Sequence, residues 1–324
     1  MDMETNRAME VVGIGVPYYD MVINVSKMPG LDGAAGANEA FYQGGGKVAT
    51  AMAAAARLGR RAGIIAKVGE NHRGRCVIED FKYNGVDTSA VIVDAPGTSS
   101  PFCLSLSEEE HKTRIFIGKE GTAGELQPEE IDYSYLGKAK YLHLENGRPA
   151  SEAAARFAKE HGIVTVMDAD NYQEGIVKLL PLLDVFIASE FFYRDMFGEL
   201  DYEAGCRRLM AAGPSTVIVT LGSRGSVGLT EQDGFFKTES FQVPVRDTTG
   251  AGDVFHGAYI VGLLEGMNAP ECARFASAVS AIKCTCFGGR TGIPDRKTVA
   301  EFLETGVIDD TQAQERLAYY RNNL

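Results

Sequence analysis

Apolar residues along this chain gather in short runs that follow two different rhythms. Residues 11–16 form a nearly unbroken apolar run, as expected of a strand buried on both faces. Strand-like patterning recurs around Val22, Ile23 and Val25, over 102–106 and over 115–117. Turn-rich residues separate these segments, which predicts hairpins. From about Lys138 the pattern changes to strand followed by helix. Strand 141–144 precedes an alanine-rich helix at 151–160, and strand 163–167 precedes a helix near 174–180. Strand 185–188 leads into helix 190–197, 216–221 reads as a further strand, and two long helices are expected near 250–265 and 270–286. Buried runs alternating with helices predict an α/β fold with a mostly parallel central sheet covered on both faces. A small β-sheet lid is expected from about residues 17–44 and 88–120, able to cover a ligand and exclude water. No internal repeat, low-complexity tract or charged linker interrupts the chain, so residues 1–324 are expected to form a single domain.

Composition narrows the class without naming a chemistry. With 45% hydrophobic residues, 23% charged residues and 37 glycines, the chain has the make-up of an ordinary globular enzyme. No stretch approaches the roughly 20 apolar residues needed to span a bilayer. Residues 1–10 are polar and acidic rather than basic and then apolar, so a cytoplasmic location is expected. A formal charge of −12 argues against a general nucleic-acid binder. It does not exclude a nucleotide, which local backbone amides and a metal can hold. Six cysteines are scattered, and only Cys284 and Cys286 are close, without a second pair at metal-ligand spacing. They are expected to be reduced and structural.

The most informative segment is Asp247-Thr248-Thr249-Gly250-Ala251-Gly252-Asp253, followed by the helical run Val254-Phe255-His256-Gly257-Ala258-Tyr259. Small residues at 250–252 let the backbone approach a ligand closely. A helix starting there leaves amides without internal partners, and its dipole favours an anion in front of them. Asp253, in the first turn, would lie beside the same anion, where a carboxylate can accept the proton of an attacking hydroxyl. Acids are also favoured at helix starts for stability alone, so the turn by itself does not separate the two roles.

The whole segment resembles the C-terminal signature of the ribokinase-like, or PfkB, carbohydrate kinases. Gly44-Gly45-Gly46-Lys47-Val48-Ala49-Thr50, leading into a helix that ends at Ala56-Arg57-Leu58-Gly59, is similar to the family's first signature, with Thr50 where the family usually has Asn. The resemblance implies a three-layer fold, ATP and Mg2+ as cofactors, Asp253 as general base and the amides of Gly250, Ala251, Gly252 and Asp253 as an anion hole. It further implies sugar contacts from Asp20, Gly45, Gly46, Lys47 and Thr50. Val219-Thr220-Leu221-Gly222-Ser223-Arg224-Gly225 resembles the loop lining the ATP site, implying nucleotide contacts from Thr220, Gly222 and Gly225, with Ser277 on the same side. Glu145 matches an acid near the magnesium. The family's Asn-x-x-Glu motif is replaced by Ser189-Glu190-Phe191-Phe192, leaving Glu190 as a partial substitute. Asp247, Thr249 and Gly288 fall where many relatives bind a monovalent cation such as K+, chiefly through carbonyl oxygens.

The run from Arg274 through Lys283-Cys284-Thr285 to Gly288-Gly289-Arg290-Thr291-Gly292-Ile293-Pro294-Asp295 is especially similar to bacterial sulfofructose kinases. That part of the chain is expected on the nucleotide side and speaks poorly about the sugar. Acceptor choice is expected to rest on Asp20, Lys47, Arg114, Asn146 and Arg148, with a ketose or related sugar preferred. A nucleoside kinase of the same fold is the alternative, with Tyr18, Tyr19, Phe41 and Phe102 as a base platform. A non-catalytic sugar- or nucleotide-sensing protein is a third reading. A homodimer paired through the lid is expected. A dinucleotide-dependent dehydrogenase is disfavoured, because Gly13-x-Gly15 lacks the third glycine of that fingerprint.

Overall fold

The computed structural model describes residues 9–111 and 113–323, so the N-terminal segment on which the location was argued lies mostly outside them. In chain order the first half contains β1 (Val11–Ile14), β2 (Tyr18–Val25), β3 (Ala37–Gly45), α1 (Lys47–Arg57), β4 (Ala62–Glu70), α2 (His72–Tyr83), β5 (Val91–Pro96), β6 (Phe102–Glu108) and β7 (Arg114–Lys119). The middle runs through α3 (Tyr133–Leu136), β8 (Tyr141–Leu144), α4 (Pro149–Glu160), β9 (Val164–Ala169), α5 (Glu174–Leu179), β10 (Val185–Ser189), α6 (Glu190–Phe197) and α7 (Tyr202–Ala211). The last part holds β11 (Thr216–Thr220), β12 (Ser226–Thr230), β13 (Gly234–Thr238), α8 (Ala251–Leu264), α9 (Ala269–Lys283), α10 (Arg296–Thr305) and α11 (Thr311–Asn323).

Nine strands make one sheet in the order β13-β12-β11-β10-β9-β8-β1-β4-β5. It is parallel from β11 to β5, and β12 pairs antiparallel with both β11 and β13. Its strands are buried runs because helices cover both faces. Val11, Ile64 and Ile218 pack under α1, α8 and α9, while Val12, Ile65 and Phe186 pack under α4 and its neighbours. The chain leaves β1 toward β4 on one side and reaches β8 on the other, so the crevice past the ends of β1 and β8 is a topological switch point, where ligands of open α/β sheets bind.

A second sheet of four strands, β3-β2-β6-β7, stands apart. Its β2–β3 and β6–β7 pairs are antiparallel, as the hairpin patterning predicts, and β2–β6 is parallel. One correction concerns its extent. The expected lid included residues from 88 onward, but β5 pairs with β4 at the edge of the large sheet. The hairpin β12–β13 and the helices α10 and α11 were not anticipated. Helix α11 anchors the small sheet by stacking Tyr320 on Phe41 at 6.2 Å.

Helices α1 and α8 cross at very close range. A Cβ on Gly257 would sit 2.3 Å from the Ala51 carbonyl, so only glycine permits the approach. The alanines at 51, 53, 54 and 55 are fully buried for the same reason. This crossing brings the starts of the two helices, and hence Lys47 and Asp253, into one region.

Candidate active site

Both helix starts are led by glycine and neither has a side-chain cap: Gly46 precedes α1 at φ 96° and Gly250 precedes α8 at φ 73°. By contrast Asn71, Ser189, Asp201, Asn268 and Asp295 cap their helices through side-chain oxygens. Uncapped first-turn amides are free for a ligand. One of the expected amides is already used, since Ala251 N donates to Thr248 O at 3.2 Å. The amides of Gly252 and Asp253 keep no intrahelical acceptor. Gly252 is exposed and a Cβ there would meet nothing within 4 Å, so the front of the turn is open.

Asp253 is half-buried at this opening. Burial, reinforced by the charge of Asp168 and more weakly by Asp170 and Glu145, pushes its carboxyl up to about 7 against the pull of Lys47. Asp20, on β2, is raised to about 7 as well, by burial and by Asp253 and Asp80, with Arg290 opposing. Its Oδ1 is buried without a hydrogen-bond partner. Gly45 lies against this carboxylate, where a Cβ would come within 2.0 Å of Oδ2. Burial would lower the Lys47 ammonium, but Asp168, Glu145, Asp170 and Asp253 outweigh it and hold it above its usual value.

Behind Lys47 lies a group that sequence reasoning missed. His143 on β8, Asp168 on β9 and His256 on α8 are buried together, with His256 Nε2 3.5 Å from Asp168 Oδ1. The two imidazole rings stack at 5.4 Å, and His143 Nδ1 donates to Val166 O at 3.1 Å. Burial drives both imidazoles down to about 3, so they stay neutral. Burial likewise raises Asp168, to about 6, with Lys47 opposing and Asp170 adding to the rise. Isolated histidines on apolar strands and helices carried no sequence signal of this meeting.

Several expected site residues are placed differently. Thr50 is only 2% exposed, and its hydroxyl accepts Arg290 Nε at 3.3 Å rather than facing the pocket. The same guanidinium donates to Gly45 O at 3.0 Å and pairs with Asp80, so Arg290 pins the glycine turn from behind. Glu145 does not present free oxygens to a metal: Oε1 accepts Val16 N at 2.7 Å and Oε2 accepts Val48 N at 3.0 Å. It therefore ties the end of β1 to the start of α1, and burial raises its carboxyl. Glu190 is bound to Arg224, to Arg194 at 2.7 Å and to Tyr202 Oη at 2.9 Å; Arg224 first, and the others with it, holds its carboxyl below the usual range. Asp170, half-exposed at the end of β9, is a pocket acid that the sequence reading passed over.

Asn146 accepts Arg148 N at 3.0 Å and Ser151 Oγ at 2.8 Å, shaping the entry to α4. With Gly15, Glu120, Gly121 and Arg148 it borders a cavity of about 240 Å³. Arg114, exposed on β7, reaches across to the Thr248 hydroxyl and so links the small sheet to the turn before α8. On the nucleotide side Thr220 ends β11, and a one-turn 3-10 segment (Gly222–Arg224) leads to Gly225 at φ 85°. Ser277 is 8% exposed on α9; Ser280, one turn on, touches the key loop, donating to Ala251 O at 2.7 Å. Of the groups expected to hold a monovalent cation, those of Asp247 and Thr249 are engaged by the protein itself. Lys283 Nζ donates to Asp247 O at 2.9 Å and to Thr249 O, while the Asp247 carboxylate accepts Thr249 N and Gly288 N, each at 2.8 Å.

Two of the four residues expected as a base platform for a nucleoside are spent on packing, while Tyr18 and Phe102 stay half-buried. Tyr19 is 5% exposed and stacks on Tyr42 at 5.1 Å, and Phe41 is 4% exposed beneath Tyr320.

An uncapped glycine-led helix start carrying Asp253, with the Asp20 carboxylate near it, can serve phosphoryl transfer to a hydroxyl. Comparison with known proteins gives the family. The pfkB family carbohydrate kinase model matches residues 8–296, and the chain belongs to that family. It is 29% identical over 268 residues to a ribokinase of Haemophilus influenzae, covering 80% of this chain and 87% of that protein. It is 27% identical over 282 residues to a 5-dehydro-2-deoxygluconokinase of Geobacillus kaustophilus, covering 80% and 84%. Among solved structures, ribokinase from Thermotoga maritima superposes with a TM-score of 0.78 at 26% identity, covering 92% of this chain and 100% of that one. A ribokinase-like structure from Agrobacterium tumefaciens gives 0.83 at 24% identity, covering 92% and 98%, and supports the fold. The protein is thus a sugar kinase with the ribokinase-like fold.

Proposed function

We propose that this kinase transfers the γ-phosphoryl group of ATP to a hydroxyl of a ketose or related sugar, with Asp253 as the general base. The reading is supported by the uncapped, open start of α8 with Asp253 in its first turn, close enough to Asp20 for its charge to raise that carboxyl. A buried acceptor without a partner costs stability, and a polyol hydroxyl donating to Asp20 Oδ1 would relieve it. Nucleoside recognition has less support, because Tyr19 and Phe41 are committed to the interior and leave only Tyr18 and Phe102 of the expected platform.

In the proposed reaction one sugar hydroxyl donates to Asp253. As its oxygen bonds to the γ-phosphorus and the bond to the β-phosphate bridging oxygen breaks, Asp253 takes the proton and ADP leaves. The amides of Gly252 and Asp253, with Gly250, stabilise the equatorial oxygens of the moving group. Lys47 balances the surrounding acids and keeps part of the Asp253 population ionised at neutral pH. The loop at Thr220, Gly222 and Gly225 lines the nucleotide side.

Mg2+ fits this site, since Asp253, Asp168, Asp170 and Glu145 repel one another and Lys47 opposes them. Asp170 would hold it, because Glu145 and Glu190 are otherwise bonded, and the ion would supply charge neutralisation to the nucleotide phosphates. The small sheet acts as the lid, and Arg114 bonded to Thr248 supports closure over the turn. Its edge strand β7 exposes Ile115, Phe116 and Ile117 by about half, which supports pairing of two lids in a homodimer. The six free cysteines fit a cytoplasmic enzyme.

A coupled ADP-release screen over ketoses, aldoses, sugar acids, sulfo-sugars and nucleosides tests the assignment. Sugar-dependent ADP release with no nucleoside response is expected. Release with nucleosides alone would overturn it.

A further inference from the structure

Lys283 is fully buried, and a buried ammonium is tolerated only where oxygen acceptors surround it. It sits in the last turn of α9, where the helix dipole favours a cation. Its Nζ donates to two backbone carbonyls, those of Asp247 and Thr249, that bracket the approach to α8. Burial alone would raise the Asp247 carboxyl, but Lys283 and the amides of Thr249 and Gly288 outweigh it and hold it below its usual value. Carbonyls turned inward, a central positive charge and an adjacent carboxylate are the arrangement of a monovalent-cation site. Here the cation is a side chain.

We propose that Lys283 is a positioning residue that serves as a built-in monovalent cation, ordering the anion turn so that the enzyme needs no K+. The inference rests on the reading of residues 250–253 as the anion turn. In a trans peptide the carbonyl and the following amide point in opposite directions. Drawing the Thr249 carbonyl toward α9 therefore aims the Gly250 amide away from α9. Ser280, one turn earlier on the same helix, holds the Ala251 carbonyl at 2.7 Å, so α9 grips the turn at three alternate carbonyl positions: 247, 249 and 251. A metal ion entering this nest would have to share its carbonyl ligands with an ammonium of like charge. The cation that preorganises the turn is thus tethered to the chain, and its presence does not depend on salt composition.

Two measurements at constant ionic strength test this. The first uses wild-type enzyme and needs no acceptor sugar: its melting temperature is expected to be unchanged when K+ replaces tetramethylammonium. For Lys283→Ala, K+, NH4+ or methylammonium is expected to raise the melting temperature, because the vacated nest then takes a free cation. The second is turnover with any sugar that the ADP screen finds. Wild-type rates in K+ and tetramethylammonium are expected to agree within about twofold, while Lys283→Met loses about 10-fold or more in kcat. Lys283→Ala should recover part of its turnover with K+ or methylammonium, which a purely structural lysine would not allow. Stimulation of wild type several-fold by K+, or a folded Lys283→Ala variant that is fully active in tetramethylammonium, overturns the proposal. Should Lys283→Ala fail to fold, the wild-type measurements still decide it. Lack of sugar-dependent ADP release would count against the kinase assignment, while the melting experiment still judges the lysine.

Discussion

The starts of α1 and α8 look alike in sequence and behave in opposite ways. Each is led by glycine at positive φ, lacks a side-chain cap and opens on the same crevice. At α1 the glycines are packed tight, with Gly45 against Asp20 and the Gly45 carbonyl held by Arg290. At α8 the leading Gly250 is also packed, against Gly289, but Gly252 inside the first turn has open space before it. The charges are inverted as well. Lys47 places a cation at a helix N-terminus, where the dipole disfavours it, and four acids compensate. Asp253 places an anion where the dipole favours it, yet burial and neighbouring acids suppress its ionisation. One start is a rigid wall bearing a lysine, and the other is an open cradle bearing a base. On the proposed reading, their difference separates holding a substrate from reacting with it.

The sharpest way to break this comparison is to remove the base. Asp253→Asn is expected to fold, to bind ATP and to lose about 10²-fold or more in kcat, measured by ADP release. Near-normal turnover would show that the open helix start needs no acid. A glycine pair comes next. Gly252→Ala should leave the melting temperature close to wild type, because its Cβ meets nothing, while lowering kcat about 10-fold by crowding the phosphoryl site. Gly45→Ala should instead lower the melting temperature by several degrees, since its Cβ would collide with the Asp20 carboxylate. Equal effects from the two substitutions would erase the distinction between wall and cradle.

The smallest effects are in the pH profile. An ionised Asp253 is required, and its pKa is raised to about 7, so kcat/KM is expected to rise with pH and level off above that value. Asp168 raises this pKa, so Asp168→Asn should move the acid limb to lower pH. Lys47 lowers it, so Lys47→Met should move the limb to higher pH. Shifts of about one unit are expected, and shifts in the same direction would show that the two side chains do not act on Asp253 through charge.

Much of the fold was legible because buried parallel strands and amphipathic helices impose strong periodicity. The α/β alternation after residue 138 and the hairpins of the small sheet follow from patterning alone. Strand β5 was misassigned to the lid because its short run, Val91–Pro96, is compatible with either sheet; only pairing with β4 decides. The two long helices were anticipated, but α11 was not, since its polar sequence shows little apolar stripe and its packing depends mainly on Tyr320. At the site, the glycine turns and Asp253 were legible because backbone approach and helix starts demand particular residue types at fixed spacing. Glu145 and Glu190 were expected to face a metal, and hydrogen bonds from elements distant in sequence claim their oxygens instead.

By itself the sequence determined the layers of the fold and the place of the glycine-led helix start that carries Asp253, both of which depend on residues near one another in the chain. Only the tertiary structure decided which charges meet. His143, Asp168 and His256 come from three separate elements, Arg290 reaches Thr50 across 240 positions, and Lys283 finds its carbonyls more than 30 residues upstream. Electrostatic energy depends on separation in space and on the medium between charges, and neither is written in the order of residues.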